Sequence, residues 1–102
     1  ANVIIVTGNI LAKSETLDEL FVLALEHSRR SRLEPGCLSH GVHQDCENQL
    51  RFVFFEEWTD HAALAQHFHL PASRLFAKEA FALAAEPPKI EIYEAVAVDI
   101  KE

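Results

Sequence analysis

Hydrophobic and polar positions change their period several times along this chain, and each change marks an element. Val3 to Leu11 is β-branched and apolar, and the polar run Lys13-Ser14-Glu15-Thr16 follows it, offering Ser14 or Thr16 as a helix cap. A strand is predicted there, with a helix after it. From Leu17 to Leu33 the apolar residues Leu17, Leu20, Phe21 and Ala24 stand at i, i+3, i+4 and i+7, and Ser28 and Ser31 continue the stripe. That spacing lays one face along a helix, which Glu34-Pro35-Gly36 then stops.

Leu38 to Asp45 reads as a strand and Cys46-Glu47-Asn48-Gln49 as a polar turn. Leu50 to Trp58, with Phe52, Val53, Phe54 and Phe55, is strongly β-prone and completes a hairpin. Asp60 can cap a short helix carrying Ala63, Leu64 and His67 on one face, and Pro71 opens a further helical segment through Phe76 and Phe81. Pro87-Pro88 closes it. Ile90, Ile92, Val96, Val98 and Ile100 then alternate with Glu91, Tyr93, Ala95, Ala97 and Asp99, the period of a long last strand.

The resulting order, β-α-β-β-α-β, predicts an α+β fold of the ferredoxin-like type, a single domain over residues 1–102 with one antiparallel sheet and its helices on one face. The other sheet face then needs cover. Dimerisation through it is the expected solution, with the end of the last strand reaching across to the partner.

Composition narrows the classes. A chain of 102 residues that is 49% hydrophobic and 25% charged buries a core. Its net charge of -7 repels phosphate backbones, and the one basic cluster is Arg29-Arg30-Ser31-Arg32, so no nucleic-acid partner is expected. The apolar runs at Val3 to Val6 and Phe52 to Phe55 fall far short of the ~20 residues a membrane span requires. Neither a secretory signal nor a zinc or redox spacing of Cys37 and Cys46 is visible, which predicts a cytoplasmic protein with free thiols.

With that order in place, Glu34-Pro35-Gly36-Cys37-Leu38, the run Phe52 to Asp60, and Glu56-x-Trp58-x-Asp60-x-x-Ala63-Leu64-x-x-His67 resemble the antibiotic biosynthesis monooxygenase family. The resemblance covers essentially the whole chain. It implies a dimeric α+β barrel, a homodimer of facing sheets with a pocket in each protomer between sheet and helices. Members of that family include oxygenases of phenols and quinols that need no cofactor, haem-degrading enzymes, and an isomerase acting on a phosphorylated sugar. The fold alone does not choose among these reactions.

Candidate chemistry follows from parity. His67 shares the Ala63/Leu64 face of its helix and points inward, as a general base or as a buried scaffold histidine. Glu56 and Trp58 share strand parity with Phe52 and Phe54. A carboxylate on that face must be paired, hydrogen-bonded or protonated, which makes Glu56 a base, a group orienting His67, or a structural partner. Trp58 and Phe54 are expected to wall an aromatic substrate, or to serve as core aromatics. Asn9 has the parity of Val3, Ile5 and Thr7, and its amide could hold a phenolic oxygen or simply end a strand. Asn9, Trp58 and His67 together also resemble the catalytic trio of the haem-degrading branch.

His40, on the Leu38/Val42 side, is a further candidate for the pocket, whereas His43, His61 and His69 are expected at the surface and His27 near a helix C-terminus. No His-x-His pair on a strand or His-x-x-x-His on a helix occurs, so no metal site is expected. No phosphate loop, dinucleotide fingerprint or Gly-x-Ser-x-Gly elbow occurs, so no nucleotide or flavin cofactor is expected either. The leading expectation is a dimeric oxygenase of a small phenol or quinol using O2 without a cofactor. Haem degradation, hydroxyketone isomerisation and a non-catalytic stress-associated ligand-binding dimer are the alternatives.

Overall fold

The computed structural model describes residues 2–101. Strand β1 (Val3–Leu11) leads through a single 3-10 turn (Ser14–Thr16) into helix α1 (Leu17–Ser31). Strands β2 (Cys37–Asp45) and β3 (Asn48–Trp58) form the hairpin, helices α2 (His61–His69) and α3 (Pro71–Leu83) follow, and β4 (Lys89–Ala95) closes the fold. The sheet order is β2-β3-β1-β4 with every neighbouring pair antiparallel. The α+β ferredoxin-like order read from the sequence is the one observed.

Local chemistry explains the boundaries. Asp60 stands at the N-cap of α2, its Oδ1 accepting the Ala63 amide at 2.8 Å, and Pro71 occupies the first turn of α3. Thr16 is the N-cap residue of α1, but its hydroxyl donates to the Leu83 carbonyl at 2.8 Å and ties the start of α1 to the end of α3. Gly36 takes φ +81 between α1 and β2, and its carbonyl accepts the Thr59 amide at 2.9 Å. A Cβ there would lie 2.5 Å from the Ala63 Cβ, so only glycine fits.

Three elements differ from expectation. Helix α1 ends at Ser31, two residues early, where the chain bends toward Gly36. Strand β3 starts at Asn48, because Asp45 and Asn48 pair across a tighter turn than the four polar residues suggested. The last strand stops at Ala95 instead of running to Ile100. Ala95 pairs with Val3, where β1 begins, so the alternating residues beyond it have no strand left to bond. Val96, Val98 and Ile100 are accordingly exposed.

The core divides in two under the helix-covered face. Ile10, Leu20, Ala24, Phe52, Phe54, Phe76 and Ala80 build one part; Ile4, Val6, Trp58 and Leu64 build the other. Polar side chains occupy the seam, where His27 touches Phe54 and Phe76 of the first cluster and His67 lies 4.6 Å, ring to ring, from Trp58 of the second. Among the described residues, no helix is long and apolar enough to cross a membrane.

Candidate functional site

Four polar side chains whose burial demands explanation converge on that seam. His27, His40, Glu56 and His67 are each at least nine-tenths buried, although they come from α1, β2, β3 and α2. Strand alternation delivers Glu56 to the inner face between Phe54 and Trp58, as parity predicts. His40 pairs with Glu56 across the β2–β3 ladder and therefore also points inward. Leu38 does not follow it. An irregularity between Cys37 and Ser39 adds a residue to β2, which keeps Cys37 with Trp58 on the inner face and turns Leu38 out to solvent.

The hydrogen bonds differ from the pairing expected. His67 does not use Glu56: its Nδ1 lies 2.7 Å from Oε1 of Glu34, a residue of the turn after α1 that parity arguments on strands could not reach. An ionised carboxylate only accepts, so Nδ1 is the donor, and in the neutral form of the ring the lone pair is on Nε2. Ser73 Oγ adds a longer contact to the same Nδ1 at 3.4 Å. Glu56 instead accepts from Trp58 Nε1 at 2.9 Å, and its other oxygen lies 3.3 Å from His40 Nε2. His40 is held from behind by Ser28 Oγ, 2.6 Å from its Nδ1.

His27 was expected near the C-terminal end of α1, gaining from the helix dipole when protonated. It is instead buried, stacked parallel on Phe76 with ring centroids 4.2 Å apart. The signal was present: Leu20, Ala24, His27, Ser28 and Ser31 form the buried stripe of α1, whereas Phe21 is 44% exposed. Burial, reinforced by His40, His67 and Arg30, holds the His27 imidazole far below its usual range, at about 3, so it is uncharged at neutral pH.

His27, Glu56 and His67 border a cavity of about 350 Å³ between the sheet and α3, whose walls are mostly apolar, with Ile10, Phe54, Phe76, Ala80, Phe81 and Ile90, and also include Ser73, Arg74 and Lys89; His40, expected at the pocket, lies behind Glu56 and is not among the lining residues. An apolar chamber with a few convergent polar groups suits a small organic ligand. Phe54 is part of its wall. Trp58 is fully buried behind Glu56 and His67 and is not among the lining residues. Asn9 is also among the lining residues, although its side chain is engaged elsewhere. It has opposite parity to Ile10 and Gly8, and its Oδ1 accepts a hydrogen bond from Arg51 on the other sheet face.

The structure also gathers what sequence spacing did not. One ring nitrogen from each of His27, His40 and His67 lies within 4.8 Å of the others, although the residues are separated by 13 and 27 positions in sequence. Cys37, half-buried, and Cys46, exposed, are free thiols as expected.

Known proteins share this architecture. The chain matches the family model described as Antibiotic biosynthesis monooxygenase over residues 3–79. A Deinococcus radiodurans structure, named provisionally for the same activity, superposes with a TM-score of 0.89 at 28% identity, covering 97% of this chain and 99% of that one. Another solved structure, of an antibiotic biosynthesis monooxygenase, gives 0.85 at 28% identity over 92% and 99% of the two chains. An uncharacterized protein of Synechocystis sp. is 37% identical over 91 residues; these make up 89% of this chain and 62% of that relative's length.

Proposed function

Because the chain belongs to the antibiotic biosynthesis monooxygenase family, we propose that it inserts one atom of O2 into a small phenolic or quinol substrate bound in the cavity beside His67. The observation that carries this reading is the Glu34–His67 pair at 2.7 Å, which fixes the proton on Nδ1 and leaves Nε2 free as a base at a largely apolar chamber.

The chemistry balances without an external reductant. His67 Nε2 takes a phenolic proton, and the resulting anion delocalises its charge into the ring and gives one electron to O2. Recombination forms a carbon–oxygen bond. The O–O bond then breaks, one oxygen stays on the ring, the other leaves as water, and a hydroquinol becomes a hydroxyquinone. Both electrons come from the substrate. In this reading the imidazoles of His27 and His67 and the carboxylate of Glu56, at the polar end of the chamber, face the substrate oxygen, while the Phe54 and Phe76 walls exclude water from the anion. Asn9, bonded to Arg51 on the other sheet face, is left out of this reading.

A chamber of about 350 Å³ lies at the lower end of ligand-site volumes, ~300–1,000 Å³, and so favours one or two fused rings over a haem. The half-buried face carrying Ile5 and Val53, with exposed Phe55 and Tyr93, supports a homodimer covering the sheet.

Oxygen uptake with a panel of hydroquinones and anthrones tests the reading. One O2 consumed per substrate is expected, with His67→Gln slower by about 10²–10⁴-fold. Wild-type protein that neither binds nor oxidises any member of the panel in air removes it.

A further inference from the structure

We propose that His27, His40 and His67 form a binding site for one divalent first-row transition metal ion of the zinc or cobalt type. Nothing in the oxygenase chemistry requires such a site, and the inference does not rest on that reading. Three independent features of the seam carry it.

The first is convergence. Three buried imidazoles from α1, β2 and α2 each bring one ring nitrogen within 4.8 Å of the others. Imidazole is a ligand that suits zinc and its neighbours in the first row. A tetrahedral ion with bonds of ~2.0–2.1 Å holds its ligand atoms about 3.3 Å apart, so the rings need to draw in by roughly 1.5 Å at most. His27, packed flat against Phe76, can slide along that ring to do so.

The second is an orphaned atom. Among the described residues, His40 Nε2 is the buried side-chain nitrogen or oxygen left without a hydrogen-bond partner. Ser28 Oγ lies 2.6 Å from Nδ1 and a Glu56 oxygen 3.3 Å from Nε2, so an ion bound at Nε2 takes the tautomer whose proton is on Nδ1, toward Ser28. In that tautomer Nε2 and the Glu56 oxygen are both acceptors, and the space they share suits a positive charge.

The third is the surrounding shell. A histidine that binds a metal ordinarily gives its other nitrogen to a carboxylate, hydroxyl or carbonyl, which sets the tautomer. Glu34 does this for His67 and Ser28 for His40. Two carboxylates, Glu34 and Glu56, border the cluster and would balance the two charges of the ion. His27 and His67 also line the cavity, so coordination positions not filled by protein face it.

The test is direct binding to the full chain after stripping with a chelator. Calorimetric titration with Zn2+, and the visible absorption of Co2+, are expected to report one ion per chain. His27→Phe, which keeps the stack on Phe76, is expected to weaken binding at least 100-fold, and Glu34→Gln by about 10–100-fold. His61→Gln with His69→Gln, at exposed positions, is expected to leave binding unchanged. Folding of each variant is checked by circular dichroism. Absence of saturable binding by folded wild type overturns the proposal, as does wild-type affinity in folded His27→Phe; if that variant does not fold, wild-type affinity in Glu34→Gln overturns it. An ion that binds to a chain whose metal-free form neither binds nor oxidises the quinol panel would uphold this site and remove the oxygenase. An ion at His67 Nε2 also takes the lone pair that the base needs, so a chain with both properties loses its oxidation when loaded.

Discussion

Glu34 Oε1 sits 2.7 Å from His67 Nδ1 and so joins the turn after α1 to the inward face of α2, thirty-three positions away in sequence. The turn that ends a helix thereby fixes the tautomer of the histidine at the cavity. Glu34→Gln keeps the shape and the acceptor oxygen but removes the charge. Oxidation of a responsive quinol is expected to fall about 10–100-fold in kcat with KM little changed, because the charge supports the imidazolium that forms during proton transfer. Steady-state kinetics of folded protein check this; an equal fall in kcat/KM through KM alone would assign Glu34 to binding.

Asn9 provides the contrasting case. Its side chain bonds Arg51 on the face away from the histidines, so Asn9→Ala is expected to leave the oxidation rate within about twofold, an energy below 0.5 kcal/mol. A loss of tenfold or more would return Asn9 to the reaction.

Gly36 carries the backbone that lets this turn pass beneath α2. Gly36→Ala adds a Cβ at φ +81 that meets Ala63 at 2.5 Å and Thr59 Oγ1 at 2.8 Å. A loss of about 1–3 kcal/mol is expected in urea unfolding at constant m-value.

Trp58 is fully buried and donates Nε1 to Glu56 at 2.9 Å. Trp58→Ala is expected to cost about 3–5 kcal/mol as a cavity, and Trp58→Phe less, chiefly through the carboxylate oxygen it leaves unbonded. In a cycle with Glu56→Gln, the two sites are expected to couple by about 0.5–3 kcal/mol, whereas strict additivity would show that the bond contributes nothing.

The two thiols should differ in reactivity. Burial, followed by the charges of Glu34 and Glu56, raises the Cys37 thiol above its ordinary 9.0, against a smaller opposing effect of Arg32. A raised value leaves less thiolate at pH 8, so Cys37 is expected to alkylate more slowly than exposed Cys46, the gap narrowing as pH rises. Mass spectrometry after timed iodoacetamide treatment reads this, and equal rates at pH 8 would contradict it.

Periodicity alone exposed most of the fold, since the alternation of β1 and β3 and the Asp60 and Pro71 signals act within a few residues. It overextended β4, because alternation reports only which side a residue faces and not whether a neighbouring strand is there to bond it. For the site, Glu56 and His40 were legible from strand parity. Their partners were not: Glu34 lies in an irregular turn, where no period applies, and the trio of His27, His40 and His67 forms only when three elements pack together. His27 could have been found, because it stands seven residues after Leu20 on the buried stripe of α1.

The order β2-β3-β1-β4 places the first strand made at the centre of the sheet and gives one of its two edges to the last. Val3 must wait for Ala95. Until β4 is joined, a Val- and Ile-rich strand offers a row of unbonded amides and carbonyls, the kind of edge on which other chains add. Closing that edge demands contacts across nearly the whole chain, which slows the final step relative to the hairpin. A chain cut before Lys89 is therefore predestined to associate through β1, however well its helices and hairpin have formed.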